Sequence, residues 1–163
     1  PVAPTGYALT RVCPVVANRL VEARPLGLVL LGGAIGTAGR EGLHLLLPAD
    51  GGIPWSVFLV NIVGAALLGA LLAHLAAVEP ETPRRREVRL FVGTGILGGF
   101  TTYSALATDT VLLAGSRLGL AMTYAVASVV LGVLAAGIGF RVGRLSADRR
   151  ADRRADPARG GRA

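Results

Sequence analysis

Gly93-Thr94-Gly95-Ile96-Leu97-Gly98-Gly99-Phe100-Thr101-Thr102-Tyr103-Ser104-Ala105-Leu106-Ala107-Thr108-Asp109 decides how this chain is read. The stretch lies inside a long apolar segment, yet it opens on closely spaced glycines and continues into a run of hydroxyls. Each glycine weakens a helix by roughly 1 kcal/mol relative to alanine and admits backbone geometry closed to other residues. At membrane depth, loosened backbone is tolerated only where protein or a watery cavity covers it. One reading is a broken transmembrane helix whose exposed carbonyls and hydroxyls handle an ion. The other is close helix packing through the Gly95 and Gly99 pair. Composition leaves both open.

The bulk composition favours a membrane. Of 163 residues, 52% are hydrophobic and 17% charged, against about 25% charged in ordinary soluble domains. All 17 basic residues are arginine, and the formal charge is +7. These arginines flank apolar spans and do not stripe one face, so no nucleic-acid partner is expected. Cys13 is alone, which excludes an internal disulfide or a cysteine metal cluster. His44 and His74 form no ligand motif, and Pro1 to Arg24 does not resemble a signal peptide.

Outward from the central stretch, the chain divides into a basic cytoplasmic lead (1–25), a four-helix transmembrane domain (26–140) and a disordered Arg-rich cytoplasmic tail (141–163). The first span is Leu26 to Leu47, between Pro25 and Pro48, long enough for a hydrocarbon core of ~30 Å. Its Gly32-Gly33-Ala34-Ile35-Gly36 forms a small-residue seam where another backbone can come close. Arg40 near its far end either snorkels to the interface or guards an anion entrance. The second span, Trp55 to Val78, carries Asn61, which either joins two helices or faces a pore as a donor. Leu90 to Gly115 is the third span. The fourth, Leu118 to Phe140, places Tyr124, Ser128 and Gly132 on one helix face.

Four spans put both termini and the middle loop on one side. Fifteen arginines fall there, against Arg40 and Arg117 on the other. The positive-inside rule makes both termini cytoplasmic in a multi-pass protein of the cell membrane, in contact with its lipid.

Three motifs in order, Gly32-Gly33-x-x-Gly36 with Arg40, Val60-Asn61-x-x-Gly64, and Gly98-Gly99-Phe100-Thr101-Thr102-Tyr103-Ser104, resemble the Fluc (CrcB-type) fluoride channels over about Leu26 to Phe140. The resemblance implies an all-α membrane protein: an antiparallel dimer of four-helix subunits with broken third helices crossing at the bilayer centre. It implies a structural sodium ion on the dimer axis, held by the backbone carbonyls of Gly98 and Thr101. Asn61, Tyr103, Ser104, Leu106, Tyr124 and Ser128 correspond to pore and fluoride-facing positions, Arg40 to the vestibule, and Asp109 to the family's acidic residue beyond the motif. The implied activity is passive fluoride export, which lowers fluoride toxicity; no enzyme chemistry is implied.

The chain also departs from that family. Tyr103 and Leu106 stand where the family has a phenylalanine pair, so Leu106 offers no polar ring edge to an anion. Gly132 stands where a further hydroxyl would be expected. The arginine asymmetry disfavours insertion in both orientations, and so points to a heterodimer with an oppositely oriented homologous subunit. Two other readings remain: a non-conducting structural subunit of such a heterodimer, and a small multidrug transporter. The latter needs a membrane-embedded carboxylate in the first span, whereas Glu41 lies at that span's end beside Arg40.

Overall fold

The computed structural model describes residues 23–47, 52–77 and 82–155. The expected basic lead before residue 23 lies outside them, as does the end of the tail. Six α-helices and one π-helix occur among the described residues and no strand does; the long helices follow from apolar runs bounded by proline, glycine or hydroxyl residues.

Helix α1, Ala23–Leu46, accepts Pro25 in its first turn, where a missing N–H costs nothing. Helix α2 is Trp55–Ala76. Helix α3, Pro83–Val88, starts at Thr82, whose side chain accepts the Arg85 N–H, and has proline at its N-terminal turn. It continues directly into a π-helix, Arg89–Leu97, and a single turn α4, Gly98–Phe100. Winding then stops. Thr101 (φ −76°, ψ 152°) and Thr102 (φ −149°, ψ 118°) are extended, and α5, Tyr103–Ala114, begins after them. Helix α6 runs from Leu118 to Ala155.

Three of these stretches are long and apolar enough to cross a membrane: Trp55–Ala76, Pro83–Ala114 and Leu118–Arg150. Helix α1 is not among them, because its glycines and the Arg40-Glu41 pair dilute its leucines.

The segment from Arg141 to Ala155, expected to be a disordered tail, is helical instead. Alanine, arginine and leucine are good helix formers, and prolonging an existing helix avoids the cost of nucleation. At 38 residues, α6 is ~57 Å long, well beyond one bilayer crossing.

Two seams hold the bundle. The broadest contact packs α2 on α6. There a Cβ on Gly139 would collide with the Ala66 carbonyl, and one on Gly69 with the Ala136 carbonyl. The second seam packs α1 on the π-helix: a Cβ on Gly36 would strike the Ile96 carbonyl, and one on Gly32 the Phe91 carbonyl. Gly95 and Gly99 face Gly32 and Gly33 across this seam. The close-packing reading of those glycines therefore holds together with the interruption that follows them. A small buried cluster of Val57, Leu106 and Tyr124 joins α2, α5 and α6.

Candidate functional site

The interruption at Thr101 and Thr102 is held by side chains. Asn61, on α2, donates its Nδ2–H to the Thr102 carbonyl at 3.0 Å and accepts the Thr102 N–H on Oδ1 at 2.8 Å. The amide thus imitates a strand partner for one extended residue, and the two bonds contribute about 1 kcal/mol each. The Thr102 hydroxyl caps α5 by accepting the Ala105 N–H at 3.2 Å, and it pairs with the Ser104 hydroxyl at 3.2 Å. Thr101 is tied back to the end of the π-helix: its N–H and its hydroxyl both donate to the Leu97 carbonyl, at 3.0 and 2.9 Å.

These bonds redirect particular donors. In a continuous helix the Thr102 N–H would serve the Gly98 carbonyl, and the Ala105 N–H would serve the Thr101 carbonyl. Here Asn61 Oδ1 takes the first and Thr102 Oγ1 takes the second. The Gly99 carbonyl accepts the Thr37 hydroxyl and Arg40 Nη1, both at 3.4 Å. Among the described residues, no side-chain or cross-element hydrogen bond goes to the carbonyls of Gly98, Phe100 or Thr101. Two of these three are the carbonyls expected to hold sodium, and oxygen atoms stripped of their donors suit a hard cation. No group of three or more His, Cys, Asp or Glu side chains suited to a metal occurs among the described residues.

The other expected site residues fall into two sets. Arg40 and Ser104 line a polar cavity of about 350 Å³, together with Thr102, His44, Ser56 and Asp109. Tyr103, between Thr102 and Ser104 in the chain, does not line this cavity and has 81% of its surface exposed. By contrast, Leu106, Tyr124 and Ser128 are buried. Leu106 packs on Val57 and Tyr124, so the position lacking an aromatic ring serves the core. The Ser128 hydroxyl donates to the Tyr124 carbonyl at 2.7 Å, within its own helix. The Tyr124 hydroxyl and Asp109 Oδ2 are buried without a hydrogen-bond partner among the described residues.

Sequence reasoning assigned no role to Thr102, His44 or Ser56. The motif contained Thr102, and a hydroxyl residue just after a glycine run is the signal that could have pointed to its capping role. His44 lies four residues beyond Arg40, hence on the same helix face. Ser56, hydrogen-bonded to His44 Nδ1 at 2.9 Å, carried no local signal.

The family of CrcB-like protein, Camphor Resistance (CrcB), matches residues 27–140. The chain belongs to this family. Its relatives include the Fluoride-specific ion channel FluC 2 of Leifsonia xyli subsp. xyli, 45% identical over 124 residues, covering 76% of this chain and 86% of that protein. A Fluoride-specific ion channel FluC of Thermus thermophilus is 42% identical over 119 residues, covering 71% and 92%. The CrcB-like match takes in the interruption, Asn61 and the polar cavity, and leaves the Arg141–Ala155 extension of α6 outside. With three helices able to cross a bilayer, this CrcB-like chain is a multi-pass membrane protein.

Proposed function

We propose that the chain is a subunit of a fluoride-selective channel that exports fluoride from the cytoplasm by passive permeation. The observation that carries this is the side-chain-held interruption at Thr101 and Thr102, inside an apolar span of a CrcB-like protein. A small, strongly hydrated anion leaves water only if donors replace its shell. One Asn61 N–H remains after the bond to Thr102, and the Ser104 hydroxyl is exposed beside the cavity. The ring edge of Tyr103 and the unpartnered hydroxyl of Tyr124 extend the set. Arg40 supplies positive charge at the vestibule. Ser128 follows on the same face of α6 as Tyr124.

In this reading α1 is a fourth crossing and two subunits assemble antiparallel. Exposure of Tyr103 beside the interruption supports a second subunit against that face. Gly98 and Thr101 of each subunit would hold a structural sodium ion, which when bound supplies a fixed positive charge beside the anion path. The arginine asymmetry supports cytoplasmic termini. It also favours a second arrangement, in which this chain pairs with a homologous subunit of reversed bias and is either one conducting half or a structural one.

Growth of a bacterial strain lacking its own fluoride exporter tests the proposal. Rescue on fluoride medium by this chain, lost in Asn61→Leu, supports a self-sufficient channel. Rescue only with an oppositely biased homologue supports the paired arrangement. There, Asn61→Leu and Tyr103→Ala in this chain alone separate a conducting half, which loses rescue, from a structural one, which keeps it. Absence of rescue in every combination, with protein present in the membrane, contradicts the proposal.

A further inference from the structure

A second cavity, of about 490 Å³, lies next to the polar one and is lined by Gly52, Pro54, Ser116 and Arg117 as well as apolar residues. The two cavities have just two lining residues in common, His44 and Asp109. One cavity reaches inward to Thr102, Ser104 and Arg40; the other reaches the chain turn at Ser116 and Arg117. His44 and Asp109 therefore stand at the shared boundary, or neck, of the two cavities. The imidazole is steered there by its hydrogen bond to the buried Ser56 hydroxyl at 2.9 Å.

An anion crossing this neck meets a carboxylate, and a negative charge a few ångströms from its path repels it. We propose that His44, held by Ser56, is the group that lets fluoride pass Asp109, and that its protonation opens this neck to the anion. The proposal rests on the fluoride-channel reading.

The electrostatic surroundings are defined. Helix α1 contributes Arg40 and Glu41 to the inner cavity, α5 contributes Asp109, and the turn before α6 contributes Arg117 to the outer one. Helix α2 contributes Ser56 and no charge. Tyr124 on α6 is buried in the neighbouring cluster and is neutral throughout the range in which histidine changes charge. Arg40 and Arg117 bring guanidinium groups to the two cavities, and Glu41 is exposed near the end of α1. Histidine is the side chain type whose charge ordinarily changes near neutral pH. When His44 is neutral, the Asp109 carboxylate faces the neck uncompensated. When it is protonated, the pair is neutral overall and Arg40 and Arg117 dominate the path.

Fluoride currents across planar bilayers containing the full chain, with the same pH on both sides, read this directly, because permeating HF carries no current. Between about pH 8 and about pH 6 the current is expected to rise about fivefold. In His44→Gln, whose amide still reaches Ser56, it should stay at the alkaline level. In Asp109→Asn the alkaline current should rise toward the acidic one. A wild-type current independent of pH, or full pH dependence in His44→Gln, overturns the proposal.

Absence of current at every pH would be a failure of the channel reading for this chain alone. Imidazole NMR of the detergent-solubilised protein then decides for the neck, with His74 as internal reference. A fluoride-induced shift of the His44 signal at about pH 6, absent at about pH 8, supports the assignment. A His44 signal unmoved by fluoride at both overturns it. The same measurement decides if His44→Gln fails to fold, because it needs only the wild-type chain.

Discussion

The α2–α6 seam and the α1–π-helix seam are built from the same residue type and end differently. Along the first, Gly69 and Gly139 lie against backbone carbonyls of the facing helix, and both helices continue unbroken. Along the second, Gly32 and Gly36 lie equally close to backbone, yet the facing helix widens to π geometry and then stops at Thr101. Glycine therefore permits close approach in both places and breaks the helix in neither. What distinguishes the second seam is Asn61, whose amide takes both backbone groups of Thr102, and the Thr102 hydroxyl, which starts the next helix. Broken backbone persists where side chains replace the lost hydrogen bonds.

The largest expected effect tests the continuous seam. Gly139→Leu forces a branched side chain into the Ala66 carbonyl, and overpacking of this kind costs about 3 kcal/mol. Thermal unfolding in detergent, followed by size-exclusion chromatography, should show loss of the folded species at temperatures the wild type survives. A wild-type profile would mean that the seam yields.

Asn61→Leu comes next and acts on the other seam. It leaves the Thr102 N–H and carbonyl without partners, at about 1–3 kcal/mol for each group that stays buried. Faster exchange of the Thr102 amide should accompany the loss of stability. Asn61→Asp keeps the acceptor for that amide, so its exchange should stay slower than in Asn61→Leu. Equal exchange in the two variants would show that Asn61 does not hold the break.

Thr102→Val removes the cap of α5, with an expected cost of about 1 kcal/mol that Thr102→Ser restores. The smallest effect belongs to Ser128→Ala. Its hydroxyl bonds only to the Tyr124 carbonyl of its own helix, so stability should change by less than about 1 kcal/mol. Fluoride permeation should nevertheless fall if the hydroxyl swings onto the ion path. No change in either would leave Ser128 a packing residue.

Seen from these residues, the sequence showed some of this and hid the rest. Apolar runs between Pro25, Pro48, Pro54 and Arg117 located the long helices, because proline and turn residues punctuate helices locally. The central stretch announced irregular backbone, since glycines followed by hydroxyls are a local signal too. The agent of the break was hidden: Asn61 and Thr102 are 41 residues apart, and an amide in an apolar span reads equally as helix glue or pore donor. The place of Leu106 in the core and the bond of Ser56 to His44 also required the packed helices. The helical extension to Ala155 was masked by its repetitive, charged composition, which resembles a disordered tail although each residue type tolerates a helix.

Fluoride release from liposomes containing this chain, followed with a fluoride electrode and compared with chloride release, is the decisive test of the ion path. Fluoride release without chloride release is expected, from this chain alone or together with a homologue of reversed arginine bias, and it should be lost in Asn61→Leu. Equal release of both ions, or fluoride release unaltered in Asn61→Leu, would mean that the interruption held by Asn61 does not form the fluoride path.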